Sequence, residues 1–444
     1  MEVTGRGRDP RNGSRRARRA AWAGAGLACA ALAGCGAFGD GSGGGGDGAD
    51  AGGEGGDGGG GGGLLEFDDR GAVEMPHGDG GEFRAVDANG DGRPDLVLVA
   101  SNGDGTRALY LDAASDDALD YIGDSWISPV ADATADHRWM FADNDADGRI
   151  DFVETIRNQD GSKEVYVSLA TGEGWSYVGE TYHHASADGP IDYLAMDIDG
   201  DGRTDWVQIG QNGDGSRLLS AARATSGGGR LAAAGNYSTP ALDPAAVYRV
   251  ANLNGDGTDD FAEVITADDG SKDVYVTLAW QDGFEYTGAP VHVASTHPVE
   301  TWLVMAAGDG ARENLVAVAS AAGHRVLEPL RDEGGTLIEG AATISSASKA
   351  GVADAPYAVG DADGDSIADF IEVAEVDGAP TVFVTLGTPA GFVQSPARFR
   401  LDFAEETTAW FAPDLNRDGR ADLVAYRYWF ADGHHHAFHI LTSR

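Results

Sequence analysis

The chain has 444 residues, with 31 basic against 72 acidic side chains and two cysteines. Its first 34 residues hold seven Arg and two acids, so the rest carries 24 basic against 70 acidic groups, a net charge of −46. Such a body is repelled by nucleic-acid phosphates and anionic headgroups, which excludes both as partners of its surface. A hydrophobic content of 42% allows a real core and excludes disorder throughout.

At the N-terminus, residues 1–19 are Arg-rich, Ala20–Ala33 is an Ala/Gly/Leu run of 14 residues, and "LAGC" ends at Cys35. Fourteen apolar residues suit the core of a signal peptide better than a membrane span. "LAGC" resembles the lipobox of bacterial lipoproteins. The resemblance implies a signal peptide over 1–34, cleavage before Cys35 and lipidation of that cysteine. Cys29 then leaves with the signal, and no disulfide is possible. "SRRARR" (14–19) resembles a twin-arginine signal only in part, because the apolar residues expected after it are missing. Residues 36–63 are almost entirely Gly with scattered acids; such a coil has a root-mean-square reach of roughly 30 Å. The expected organisation is a signal peptide (1–34), a lipidated Cys with a flexible tether (35–63) and a folded body (64–444). That predicts an exported protein on the bacterial envelope or cell surface, touching membrane only through its lipid.

From residue 64 the chain repeats itself. Nine-residue acidic loops begin at Asp87, Asp143, Asp197, Asn252, Asp361 and Asp414, and a decayed copy begins at Ala306; successive starts lie 53 to 56 residues apart. Four residues before every start stands an aromatic: Phe83, Trp139, Tyr193, Tyr248, Trp302, Tyr357 and Trp410. Each unit runs from an apolar stretch through the loop to a β-rich run, a tight turn such as "NGDGS", another strand and a last Gly-bounded strand. Four short strands in about 55 residues describe one propeller blade. The C-terminal unit stops one strand short, and "GLLEFDDRGAVEMP" (63–76) reads as its missing fourth strand. The prediction is an all-β, seven-bladed propeller whose N-terminal strand completes the last blade and leaves no bare edge.

Oxygen-bearing side chains at alternate positions, with Gly at the sixth, are what Ca²⁺ requires; Mg²⁺ demands a tighter octahedron. Positions 1, 3, 5 and 9 supply side chains and position 7 a carbonyl. The candidate ligands of the first loop are therefore Asp87, Asn89, Asp91, Arg93 and Asp95, and of the second Asp143, Asp145, Asp147, Arg149 and Asp151. The third offers Asp197, Asp199, Asp201, Arg203 and Asp205; the fourth Asn252, Asn254, Asp256, Thr258 and Asp260. The sixth offers Asp361, Asp363, Asp365, Ile367 and Asp369, and the seventh Asp414, Asn416, Asp418, Arg420 and Asp422. Up to six Ca²⁺ sites follow, the fourth weakened by its two Asn and the loop near Ala306 lacking ligands. Ser366 replaces the sixth-position Gly, costing roughly 1 kcal/mol if the backbone there is left-handed. An EF-hand reading fits "DNDADGRIDFVE" but fails elsewhere: position 12 is Leu98, Gln208 or Ala425 in other copies. No room remains for the exit helix that an EF-hand or a dockerin repeat needs.

This constellation resembles the FG-GAP/VCBS repeat family, which includes the propeller of integrin α subunits, over about residues 64–444; "GFEYTGAP" (283–290) echoes the motif's name. The resemblance implies ions that stiffen the blades on one face. It places ligand contacts on the other, among the turns between second and third strands and the blade-to-blade connections. No nucleophile elbow, zinc-protease motif, P-loop or C-x-x-C is present. Carboxylate pairs for glycosidic chemistry can still assemble in space. The His-rich turn (His434, His435, His436, His439) reads as a solvated loop, and "YRYWF" (426–430) as inter-blade packing, with Trp429 as the alternative recognition residue. The expected function is a calcium-stabilised, surface-anchored propeller binding a glycan or protein. A calcium-dependent polysaccharide lyase or hydrolase, and an envelope scaffold, are the alternatives.

Overall fold

A computed structural model describes residues 67–443 apart from connecting stretches, the longest being 129–136, 185–191, 240–245 and 402–408. The expected signal peptide, Cys35 and the expected tether lie outside the described residues. Seven antiparallel sheets follow one another along the chain. Blade 2 shows the pattern: Arg138–Ala142, Asp151–Arg157, Lys163–Ala170 and Trp175–His184 pair in that order. In blades 1, 4 and 5 the outer strand is split in two, as in Gly283–Tyr286 and Val291–Val293. The chain is a seven-bladed β-propeller.

The seam closes as the repeat count requires. Phe67–Met75 pairs antiparallel with His434–Ser443, which pairs with Leu423–Phe430 and then Ala409–Phe411. Blade 7 is thus built from both ends of the described chain, so its third strand has no bare edge.

Second strands such as Asp95–Ser101 and Asp205–Gln211 are buried at six successive residues because both faces of each sheet are covered. The core is accordingly divided into inter-blade layers, one hydrophobic cluster at each of the seven interfaces. The seven aromatics at the fourth residue before each loop are distributed one per cluster: Phe83, Trp139, Tyr193, Tyr248, Trp302, Tyr357 and Trp410. Their period in the sequence is the period of the interfaces. Tyr426 does the packing expected of it, its ring 4.4 Å from that of Phe83 in the next blade. The side chains of Trp429 and His434–His436 lie outside the described residues. The one helix among the described residues, Ser346–Lys349, has no counterpart in the repeat pattern of the sequence. It sits in the connection between blades 5 and 6 and covers Phe383.

Removing the strand Phe67–Met75 should expose the edge of His434–Ser443. Melting should fall by about 10 °C, and size exclusion should show higher-order species. An unchanged monomer with unchanged melting would contradict closure by that strand.

Candidate metal centres

Each acidic loop joins the first strand of a blade to the second, so all of them emerge at the same end of the blades. The chain reverses there through two left-handed residues, at positions 4 and 6. Both are Gly in loops 1, 3 and 4, for example Gly200 (φ 73°) and Gly202 (φ 81°). Non-glycine residues hold the same region at Ala146 (58°), Ser366 (69°) and Arg417 (60°). Ser366 is thus strained as its position suggested; the equal demand at position 4 was legible in Gly90, Gly200, Gly255 and Gly364.

The double reversal turns backbone amides inward, onto the position-1 carboxylate. Asp197 accepts hydrogen bonds from Gly200 N (2.8 Å), Asp201 N (3.2 Å) and Gly202 N (2.8 Å). Asp87, Asp143, Asp361 and Asp414 repeat this arrangement, and Asn252 accepts one such bond. The position-5 carboxylate accepts from the amide of position 7, as Asp201 does from Arg203 N at 2.9 Å.

Position 9 has a second task that sequence reasoning missed. Asp205 is buried, and its two oxygens accept from Ile198 N (3.2 Å) and Ala224 N (2.7 Å). This clamp ties the loop to the end of the blade's third strand. The same clamp is made by Asp95, Asp151, Asp260, Asp369 and Asp422. The signal was a recurrent small residue about 19 positions on: Ala114, Ala170, Ala224, Ala279, Gly387 and Ser443. Burial pushes these acids up against the opposing pull of the amides. Asp151 and Asp369 rise to about 8, Asp95, Asp205 and Asp260 to about 7, and Asp422 to about 6.

Carboxylates converge most closely in the three loops with Asp at all four side-chain positions. One oxygen each from Asp143, Asp145 and Asp151, from Asp197, Asp199 and Asp205, and from Asp361, Asp363 and Asp365 lie within 4.8 Å of one another. Loops 1, 4 and 7 carry Asn89, Asn254 and Asn416 at position 3 and form no such trio among the described residues. In loops 4 and 7 the amide nitrogen of that Asn donates to Asp256 (3.0 Å) or Asp418 (3.1 Å). In loops 2 and 3 the position-5 acids, Asp147 and Asp201, pair with the guanidinium groups of Arg149 and Arg203. The residues fit a hard divalent cation on one further observation. Asp145 Oδ1 and Asp199 Oδ1 are buried and receive no hydrogen bond, an expensive state for an anionic oxygen that a bound cation removes.

The EF-hand alternative fails here too. Glu154, its position-12 residue, lies on the strand leaving the loop and is bound by Ser128 Oγ and His137 Nε2, both at 2.9 Å. The hairpin turns behave as plain turns: Asp104, Asp214 and Asp269 accept from the hydroxyl and amide of Thr106, Ser216 and Ser271.

No family model and no curated protein matches the chain. Among solved structures it is similar to the Photorhabdus luminescens Tc holotoxin pore (17% identity, TM-score 0.39), over 78% of this chain but only 17% of that one. It is also similar to a Bacillus licheniformis rhamnogalacturonan lyase (13% identity, TM-score 0.31), over 82% of this chain and 74% of that one. A third is the β-propeller domain of the trilobed protease from Pyrococcus furiosus (11% identity, TM-score 0.36), with 82% and 91% covered.

Two outcomes are expected from this geometry. Asp205→Ala should cost about 3 kcal/mol in urea unfolding, because two buried amides lose their acceptor; a loss near zero would refute the clamp. The position-9 acids hold protons more tightly folded than unfolded, so with chelator present their contribution to stability is full below about pH 4 and lost as pH rises through 6 to 8. Melting in chelator should therefore fall across that window, and a flat or rising profile would contradict the burial described.

Proposed function

We propose that the protein is a calcium-stabilised binding propeller, displayed outside the cytoplasm on a lipidated Cys35 and a Gly-rich tether, that recognises a glycan or a protein. The observation that carries the calcium reading is the pair of buried, unbonded oxygens of Asp145 and Asp199, each within a trio of carboxylates. Bound Ca²⁺ would supply charge neutralisation. Asp143, Asp145 and Asp151, with their counterparts in the other loops, would hold it beside the inward amides. Extracellular sites of this kind bind at about 10⁻⁴ to 10⁻³ M, concentrations met outside the cell.

The binding role rests on division of labour between the two ends of the blades. One end is committed to the acidic loops. The other presents short turns and blade-to-blade connections on a stiff scaffold, the usual placement of recognition residues. A calcium-dependent polysaccharide lyase or hydrolase, and an envelope scaffold, remain the competing functions. A glycan array with and without chelator, run beside an assay for unsaturated sugar products, separates the three. Retention without turnover supports the binding module, products support the enzyme, and the absence of both supports the scaffold.

Calcium should raise the melting temperature and EDTA lower it. Asp199→Asn combined with Asp201→Asn should reproduce part of that drop, about 3 °C, and bind one ion fewer by calorimetry. Melting that ignores both calcium and EDTA would refute a structural ion.

A further inference from the structure

Neighbouring loops are joined by backbone hydrogen bonds in a regular pattern. The amide at position 8 of one loop donates to the carbonyl at position 1 of the loop before it. Ile150 N reaches Asp87 O at 2.7 Å, Thr204 N reaches Asp143 O at 2.6 Å, and Asp259 N reaches Asp197 O at 2.7 Å. Glu313 N reaches Asn252 O at 3.0 Å, Ala368 N reaches Ala306 O at 3.3 Å, and Ala421 N reaches Asp361 O at 2.5 Å. The link survives at the decayed loop although its ligands are gone. Only the seam between blades 7 and 1 lacks it, because position 8 of loop 1 is Pro94, which has no N–H to give.

The donor and the position-7 carbonyl belong to one peptide group. No peptide bond in the described chain is cis. In a planar trans peptide the C=O and N–H point in opposite directions. An N–H aimed at the preceding loop therefore turns the position-7 carbonyl away from that loop, and at the decayed loop this carbonyl, Arg312 O, accepts from Ala307 N of its own loop at 3.0 Å. The acceptor at the far end is the carbonyl of the residue whose carboxylate opens the preceding ligand set. A second contact runs alongside. The stem of Arg149 lies where a side chain on Gly90 would stand (Cγ 2.8 Å from such a Cβ), and Arg312 and Arg420 lie likewise over Gly255 and Gly364.

We infer that the calcium loops form one coupled array rather than six independent sites. Fixing the position-7 carbonyl in one loop orients the peptide that holds position 1 of its neighbour, so occupancy of one loop favours the next. The array is a line and not a circle, with its two ends meeting at Pro94. This rests on the calcium reading above but goes beyond it, since six isolated sites would satisfy that reading equally.

The test is calcium titration of the chelator-stripped, full folded protein by calorimetry, with hydrogen exchange of the loop 2 amides as a second readout. Wild type should titrate with a Hill slope of about 2. Thr204→Pro removes the link between loops 2 and 3 without touching a ligand side chain. It should keep the number of ions bound, flatten the slope toward independence, and shift protection of loop 2 to calcium concentrations about fivefold higher. If that variant fails to fold by circular dichroism, Pro94→Thr provides the converse: it supplies the missing amide and should steepen the titration. Independent binding in wild type, or unchanged slopes in both variants, overturns the coupling and leaves the calcium reading intact. Absence of any calcium uptake overturns the calcium reading itself.

Discussion

The constraint that governs this molecule is the repulsion among carboxylates packed into each nine-residue loop. Three or four anionic groups within a few ångströms destabilise one another unless positive partners lie among them. The chain meets this in three ways. Left-handed residues at positions 4 and 6 turn amide N–H groups onto the first carboxylate, the buried ninth carboxylate accepts two amides of its own, and in loops 2 and 3 guanidinium groups pair with acids of the loop, Arg149 with Asp147, Arg203 with Asp201 and Arg223 with Asp199. In Asp145 and Asp199 an oxygen remains that the protein does not satisfy, and there the argument for a cation begins.

The same loops determine how the blades meet. Because the position-9 acid reaches the end of the third strand, a loop that loses its shape releases a blade internally. Because the position-8 amide reaches the preceding loop, the disturbance passes between blades. The hydrophobic layers are divided likewise, one per interface and each with its own aromatic. The seam is treated differently. It lacks the loop-to-loop amide, yet Phe83, Tyr426 and Phe438 pack there with ring centroids 4.4 to 5.4 Å apart, and the strand Phe67–Met75 closes the sheet beside it. Aromatic packing and strand exchange hold the one junction where the backbone link is missing.

Much of this was legible in the residues. The period of the acidic loops, the aromatic four residues ahead of each, and the missing seventh outer strand specified seven blades and the way they close, since each is a requirement of packing that repeats with the blade. The loops able to gather three carboxylates were those with four Asp. What escaped was of two kinds. The clamp by Asp95, Asp151 and their equivalents joins residues about 19 apart, and reading a loop as a ligand set alone hides it. The helix Ser346–Lys349 and the loop-to-loop amides depend on how blades are placed beside one another. A backbone N–H carries no mark in the sequence, except where Pro94 removes it.

The most direct test of the account is the calcium content of the purified full-length protein, measured by native mass spectrometry after dialysis against millimolar calcium. The account predicts several bound ions per chain, no more than one for each of the six acidic loops, lost together on chelation with a fall in stability. A chain carrying no calcium, folded and equally stable with chelator present, would contradict it.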